Sequence, residues 1–153
     1  MTDREELADA FVTASRALVG MAVRSIAAAP VEITLTQHRA LVLLANHGSQ
    51  SIGALASPLG VNHSNASRLC DRLERLGLVA RRRSESDARS VEISLTETGK
   101  DLLDRVDQHR RNEVMQVLTT MRQVDAKVAI RALAAFADAA HELAPDDRAL
   151  SAS

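Results

Sequence analysis

One stretch constrains the chain more than any other: Asn62-His-Ser-Asn-Ala-Ser-Arg-Leu-Cys-Asp-Arg-Leu-Glu-Arg-Leu76, closed by Gly77. Ala66, Leu69, Cys70, Leu73 and Leu76 recur at the spacing of one helical face. Asn62 is a strong N-cap, Val61 before it can staple onto Ala66, and Gly77 stands where helices end in the left-handed conformation. Helical geometry then points Ser64, Arg68, Asp71 and Arg75 away from the apolar stripe, with Ser67 on one flank and Asn65 and Arg72 on the other. Most charged helix faces are only solvated. Here the N-terminal half leads with short hydroxyl and amide groups, then arginine, with no acid before Asp71. Such side chains reach base edges and phosphates while letting a backbone sit close to a groove.

The neighbours strengthen that reading. Thr36 is expected to cap a preceding helix, with Leu35 and Ala40 as a staple, Leu41, Leu44 and Ala45 on its core side, and Gly48 as its stop. Ser51 opens a short helix through Ile52, Leu55 and Ala56, which Pro58 should shorten or kink. Gly60 makes the turn into the 62–76 helix, so the segment spells a helix-turn-helix. After Gly77 the period changes to two. Residues 78–83 read as a strand, Val91, Ile93 and Leu95 alternate with Glu92 and Ser94, and the loop between carries Asp87 and Arg89. A hairpin placed there is a wing.

Three further helices flank this unit. The first, over residues 5–29, carries a seam of Leu7, Phe11, Ala14, Leu18, Met21 and Ser25 and ends before Pro30. Thr96 caps a long helix with Leu103, Val106, Arg110, Val114, Val117 and Met121 along one side. A last helix, over about 123–143, carries Val124, Val128, Leu133 and Phe136. Their apolar residues exceed what a winged helix of about 65 residues can cover. Burial against a second copy solves this. The fold expected is mainly α: a winged helix-turn-helix over 34–96, dimerisation helices over 1–30 and 97–145, and a frayed tail over 146–153.

With 153 residues, 46% of them hydrophobic, the chain can build one domain with a real core. The net charge of −1 attracts neither nucleic acid nor membranes as a whole, but between Asn62 and Arg83 six arginines face only Asp71 and Glu74. A single cysteine fits a reducing compartment. No apolar run approaches the ~18 residues that span a bilayer, and the acidic start argues against a secretory signal. A cytoplasmic protein without membrane contact is expected. Two Phe, no Tyr and no Trp leave no stacking platform for single strands.

Chemistry beyond binding finds no support. His38, His47, His63, His109 and His141 show no metal-ligand spacing, no nucleophile elbow or phosphate loop occurs, and neither catalysis nor a cofactor is expected. Cys70 lies on the core stripe, as an inert buried thiol would. Arg81, Arg82 and Arg83 alternate faces, so one at least should meet phosphate and one solvent; Arg82 is placed with the wing contacts. His63, at the start of the 62–76 helix, is a candidate phosphate contact. His38, at the edge of the preceding helix's core face, is the one candidate for lining a ligand cavity.

Four segments carry a resemblance: Leu35-Thr-Gln-His-Arg-Ala-Leu; Ile52-Gly-Ala-Leu-Ala; Ser67 through Arg82; and Asp87-Ala-Arg-Ser-Val-Glu-Ile-Ser-Leu-Thr-Glu-Thr-Gly99. The last two are the specific ones. Together they resemble the MarR (multiple antibiotic resistance regulator) family, and with the flanking helices the similarity runs over nearly the whole chain. The resemblance implies six helices, a wing, a homodimer made by the terminal helices, and palindromic double-stranded DNA as partner, usually with repression of nearby genes. It places base or phosphate contacts at Ser64, Asn65, Ser67 and Arg68. At the wing it implies that Asp87 steadies the loop while Arg89 enters the minor groove. Two positions depart from the pattern: Ala88 stands where many members carry another basic residue, and Pro58 where a helix-friendly residue is usual. Relatives often take anionic aromatic effectors between the DNA-binding and dimer regions. Here Arg16 falls opposite the first helix's apolar seam and Arg24 to its side, so no arginine of that helix is expected inside, and a regulator without an effector is an alternative to one released by a small ligand. The alternative class is a winged-helix module that binds protein instead of DNA; arginines on the exposed face and at the wing tip favour DNA.

Overall fold

Polar caps partition the chain into its elements. In the computed structural model, which describes residues 1–87 and 89–142, α1 spans Asp3–Ala27, α2 Leu35–His47, β1 Gln50–Ser51, α3 Ile52–Leu59 and α4 His63–Arg75. The wing follows as β2 Val79–Arg83 and β3 Val91–Leu95, then α5 Glu97–Thr120 and α6 Ala126–Ala139. Every helix opens on a side chain that accepts a hydrogen bond from its first turn: Thr2, Thr34, Ser51, Asn62, Thr96 and Asp125. For α2 this corrects the expected cap. Thr34, not Thr36, starts the helix, because Gln37 lies three residues beyond it and completes a reciprocal capping box.

The winged unit holds the core. Leu41 of α2, Leu55 of α3, Leu73 of α4, Leu78 and Ile93 are fully buried together with Val106 of α5. Ala45, expected on the core side of α2, is exposed; Ala40 and Leu43 take its place beside Leu41 and Leu44. Gly60, at φ 66°, makes the left-handed turn between α3 and α4. Pro58 does not end α3, which runs on to Leu59. The sheet has three antiparallel strands in the order β1-β3-β2, with Gln50 opposite Ile93 and Arg81 opposite Ile93 from the other side. The two-residue β1 was not foreseen: it is too short for alternation to show.

The start of α5 is seated on the winged unit by a close backbone approach. The Thr96 hydroxyl donates to the Gly77 carbonyl at 2.6 Å and the Thr96 N–H to the Leu78 carbonyl at 3.1 Å. Gly99, buried in the same turn, faces Leu78 so closely that a side chain has no room. Further along, α5 packs on α1, where Arg24 donates two hydrogen bonds to Glu113.

Outside the winged unit the apolar faces are open. Leu7, Val12, Leu18, Val19 and Val23 on α1, Met115 and Leu118 on α5, and Ile130, Leu133 and Phe136 on α6 are all exposed, and α6 buries no residue at all. Within the chain α6 is tied by the stacked Phe11–Phe136 rings and, beyond its end, by Glu142 on α2. It is also shorter than the 123–143 expected. Asp125 caps it late, and His141 at φ 59° turns the chain out of the helix. By length and composition α1 is apolar enough to cross a bilayer, with an 18-residue window of mean hydropathy 1.3, which corrects the expectation that no such run exists. Alanine, glycine and valine between its few charges raise that mean. The tail over 146–153 lies outside the described residues.

Candidate nucleic-acid interface

The N-terminal turn of α4 is fixed by its cap: the Asn62 side-chain oxygen accepts the Asn65 N–H at 2.8 Å. Ala66, Cys70 and Leu73 are then buried, so the opposite face is presented to solvent. His63, Ser64, Asn65, Arg68 and Arg72 are exposed, with Arg75 a turn further on; Ser67 is half-buried at the edge of the row. Among the described residues no ion pair engages Arg68, Arg72 or Arg75.

At the wing, Asp87 organises the turn. Its carboxylate accepts the Arg89 N–H at 3.0 Å, and its carbonyl accepts the Ser90 N–H at 3.0 Å and the Ser90 hydroxyl at 3.2 Å. The Ser84 N–H closes the loop on the Ser90 carbonyl at 2.9 Å. Arg89 is exposed beyond this turn. Ala88 lies outside the described residues. On β2, Arg82 and Arg83 are exposed, Arg82 in register with Glu92. Arg81 is different. It is partly buried, and its guanidinium pairs with Asp71 and, at 3.6 Å, with Glu74 of α4. Of the three arginines it is therefore the one already engaged within the protein, a long-range pairing that periodicity does not reveal.

Cys70 is buried beneath this face, and burial pushes its thiol above the ordinary range. Among the described residues no group of three or more His, Cys, Asp or Glu side chains is arranged to hold a metal ion.

Behind the interface, between α2 and α5, lies a cavity of about 570 Å³. Its wall combines Ala22, Val42 and Leu59 with His38, Arg39 and Arg110. Burial, with Arg110 and Arg39 adding positive charge, lowers His38 to about 4 and keeps its ring neutral at pH 7. His38 Nε2 and Arg110 Nε are buried without a hydrogen-bond partner. Arg39 spans the mouth to Glu142, donating at 2.7 Å, and Asn46 donates to the Glu142 carbonyl at 2.8 Å. The arginines inside thus come from α2 and α5, not from α1, whose Arg24 is turned to Glu113. Arg110 could have been found from the sequence, since it interrupts the apolar seam of α5.

The architecture and the motifs have known counterparts. The MarR family model matches residues 33–91. A crystal structure of RV1404 from Mycobacterium tuberculosis is 36% identical, covers 92% of this chain and 95% of its own, and superposes with a TM-score of 0.79. A MarR family protein from Bacillus stearothermophilus is 28% identical over 90% of this chain and 96% of its own, with a TM-score of 0.75. The HTH-type transcriptional regulator YfiV of Bacillus subtilis is 40% identical over 72 residues, 47% of this chain and 45% of that protein. The chain spans about half the length of the curated relatives it matches. With the family model on the winged unit and near full-length likeness to these structures, the chain belongs to the MarR family.

Proposed function

We propose that this protein is a homodimeric transcriptional regulator that binds a palindromic operator in double-stranded DNA and represses adjacent genes in the cytoplasm. The observation that carries this reading is the exposed row on α4: Ser64, Asn65, Arg68 and Arg72, with neither arginine tied to a carboxylate of the protein. A helix of this kind enters the major groove, and its short polar residues let the backbone approach base edges. His63 and Ser67 flank the row as phosphate contacts, and Arg82 extends it along the wing. Asp87 holds the wing tip so that Arg89 reaches the adjacent minor groove.

Residues 34–96 form the DNA-binding part; 1–30 and 97–145 form the dimer part, supported by the open apolar faces of α1, α5 and α6. The cavity at His38, Arg39 and Arg110 lies where the two parts meet, and its unpaired His38 and Arg110 nitrogens suit a small polar effector. An effector bound there would touch α2, α3 and α5 together, the elements that join the DNA-binding and dimer parts. Selection of duplexes from a random pool tests the function. The enriched sequence should be a palindrome with half-site centres ~10 bp apart or a multiple of that. No enrichment, or an asymmetric single half-site, contradicts it.

A further inference from the structure

Period two places Arg81 on the same face of β2 as the buried Val79, opposite the buried Ile93, so a charged side chain points toward the body of the protein. On α4, Asp71 and Glu74 are three residues apart and share one side. The Arg81 guanidinium donates a hydrogen bond to Asp71, and its Nε, buried without a hydrogen-bond partner, lies 3.6 Å from the Glu74 carboxylate. We infer that Arg81 is a positioning residue for DNA recognition: it neutralises the two acids of the recognition helix and fixes that helix against the wing. The inference rests on the DNA-binding reading above.

Two consequences follow from the charges. Asp71 and Glu74 are the only acids between Asn62 and Arg83, and Asp71 lies one helical turn from both Arg68 and Arg75 on the same side of α4, well inside a screening length of those two side chains. Unpaired, they repel the DNA backbone at the point where the helix docks. The clamp also bridges α4 and β2, the two elements that reach different grooves, so its loss lets the major-groove and wing contacts drift out of register. Arg82 and Arg83 cannot substitute: Arg82 faces the other side of the strand, and Arg83 is exposed further out.

A cycle of substitutions in the full-length protein tests this on duplexes selected from a random pool. Arg81→Gln should weaken binding on the order of tenfold, and Arg81→Lys, which can hold one carboxylate but lacks the fork, should weaken it less. With Asp71→Asn and Glu74→Gln already present, Arg81→Gln should cost less than about threefold, because nothing is left to mask. Equal loss in both backgrounds would show that Arg81 touches DNA itself and would overturn the inference, as would undiminished binding by Arg81→Gln alone. Hydrogen exchange without DNA supplies an independent reading: amides of residues 70–76 should exchange faster in Arg81→Gln, and unchanged exchange overturns the clamp. Should the unaltered protein bind no duplex, the DNA-binding reading fails, and exchange alone decides the clamp.

Discussion

A Cβ at Gly99 would stand 2.2 Å from the Leu78 carbonyl oxygen and 2.7 Å from a Leu95 methyl, so the Leu95-Thr-Glu-Thr-Gly99 motif is a packing requirement. Gly99→Ala must push α5 off the winged unit, and backbone cannot yield as a flexible side chain would. Thermal unfolding should show a loss of ~2–4 kcal/mol; an unchanged melting temperature would mean that α5 is seated differently. His38 makes a second residue-scale claim. Its folded pKa of about 4 lies below the 6.5 of an unperturbed imidazole, so the unfolded chain takes up a proton first as pH falls. Its contribution is present above about pH 6.5 and is lost as pH falls toward 4, by up to ~3 kcal/mol. Denaturant melts at fixed protein concentration should follow that slope, and His38→Gln should flatten it. Residues whose role depends on close neighbours in sequence were legible, as with the Asn62 cap and the stripe of Ala66, Cys70 and Leu73. Arg81 and Arg39 were not, because their partners lie 10 and 103 residues away.

At the scale of elements, the recognition helix and wing followed from periodicity because each has one buried face against a single core. Boundaries were harder. The start of α2 was misplaced by two residues between two threonines, although only Thr34 has a glutamine three residues on. The apolar pattern carried α6 too far, since Val124 precedes the Asp125 cap and belongs to no helix. That pattern matters for assembly. Ile130 and Leu133 on α6 are 64% and 56% exposed, values that suit a surface awaiting a partner. Leu133→Glu should weaken self-association by roughly 10²-fold or more, because burying an unpaired carboxylate costs several kcal/mol. Sedimentation of the variant should show monomer where the unaltered chain shows dimer. A dimer of unaltered strength would place the interface elsewhere.

For the whole molecule, the distribution of charge decides more than its sum. The chain carries −1 overall, yet among the described residues six arginines outside any ion pair, Arg68, Arg72, Arg75, Arg82, Arg83 and Arg89, fall within residues 68–89, across α4 and the wing, while Arg24, Arg39 and Arg81 are spent on internal pairs. A two-fold dimer would carry that basic edge twice, as an operator with two half-sites requires. Recognition should then divide between two contacts of different character. On the proposed reading, Arg68 should reach a guanine edge or adjacent phosphate in the major groove, whereas Arg89 should enter a minor groove in which A·T pairs look alike. The direct measurement is the affinity of Arg68→Ala and Arg89→Ala on a series of single-base operator variants at two salt concentrations. Arg68→Ala should cost ~1–3 kcal/mol per subunit and relax preference at one operator position. Arg89→Ala should weaken binding across most sequences, reduce the salt dependence and lose only a shallow preference for flanking A·T. Unchanged affinity in both variants, with dimer and helix content intact, would contradict DNA reading by this face.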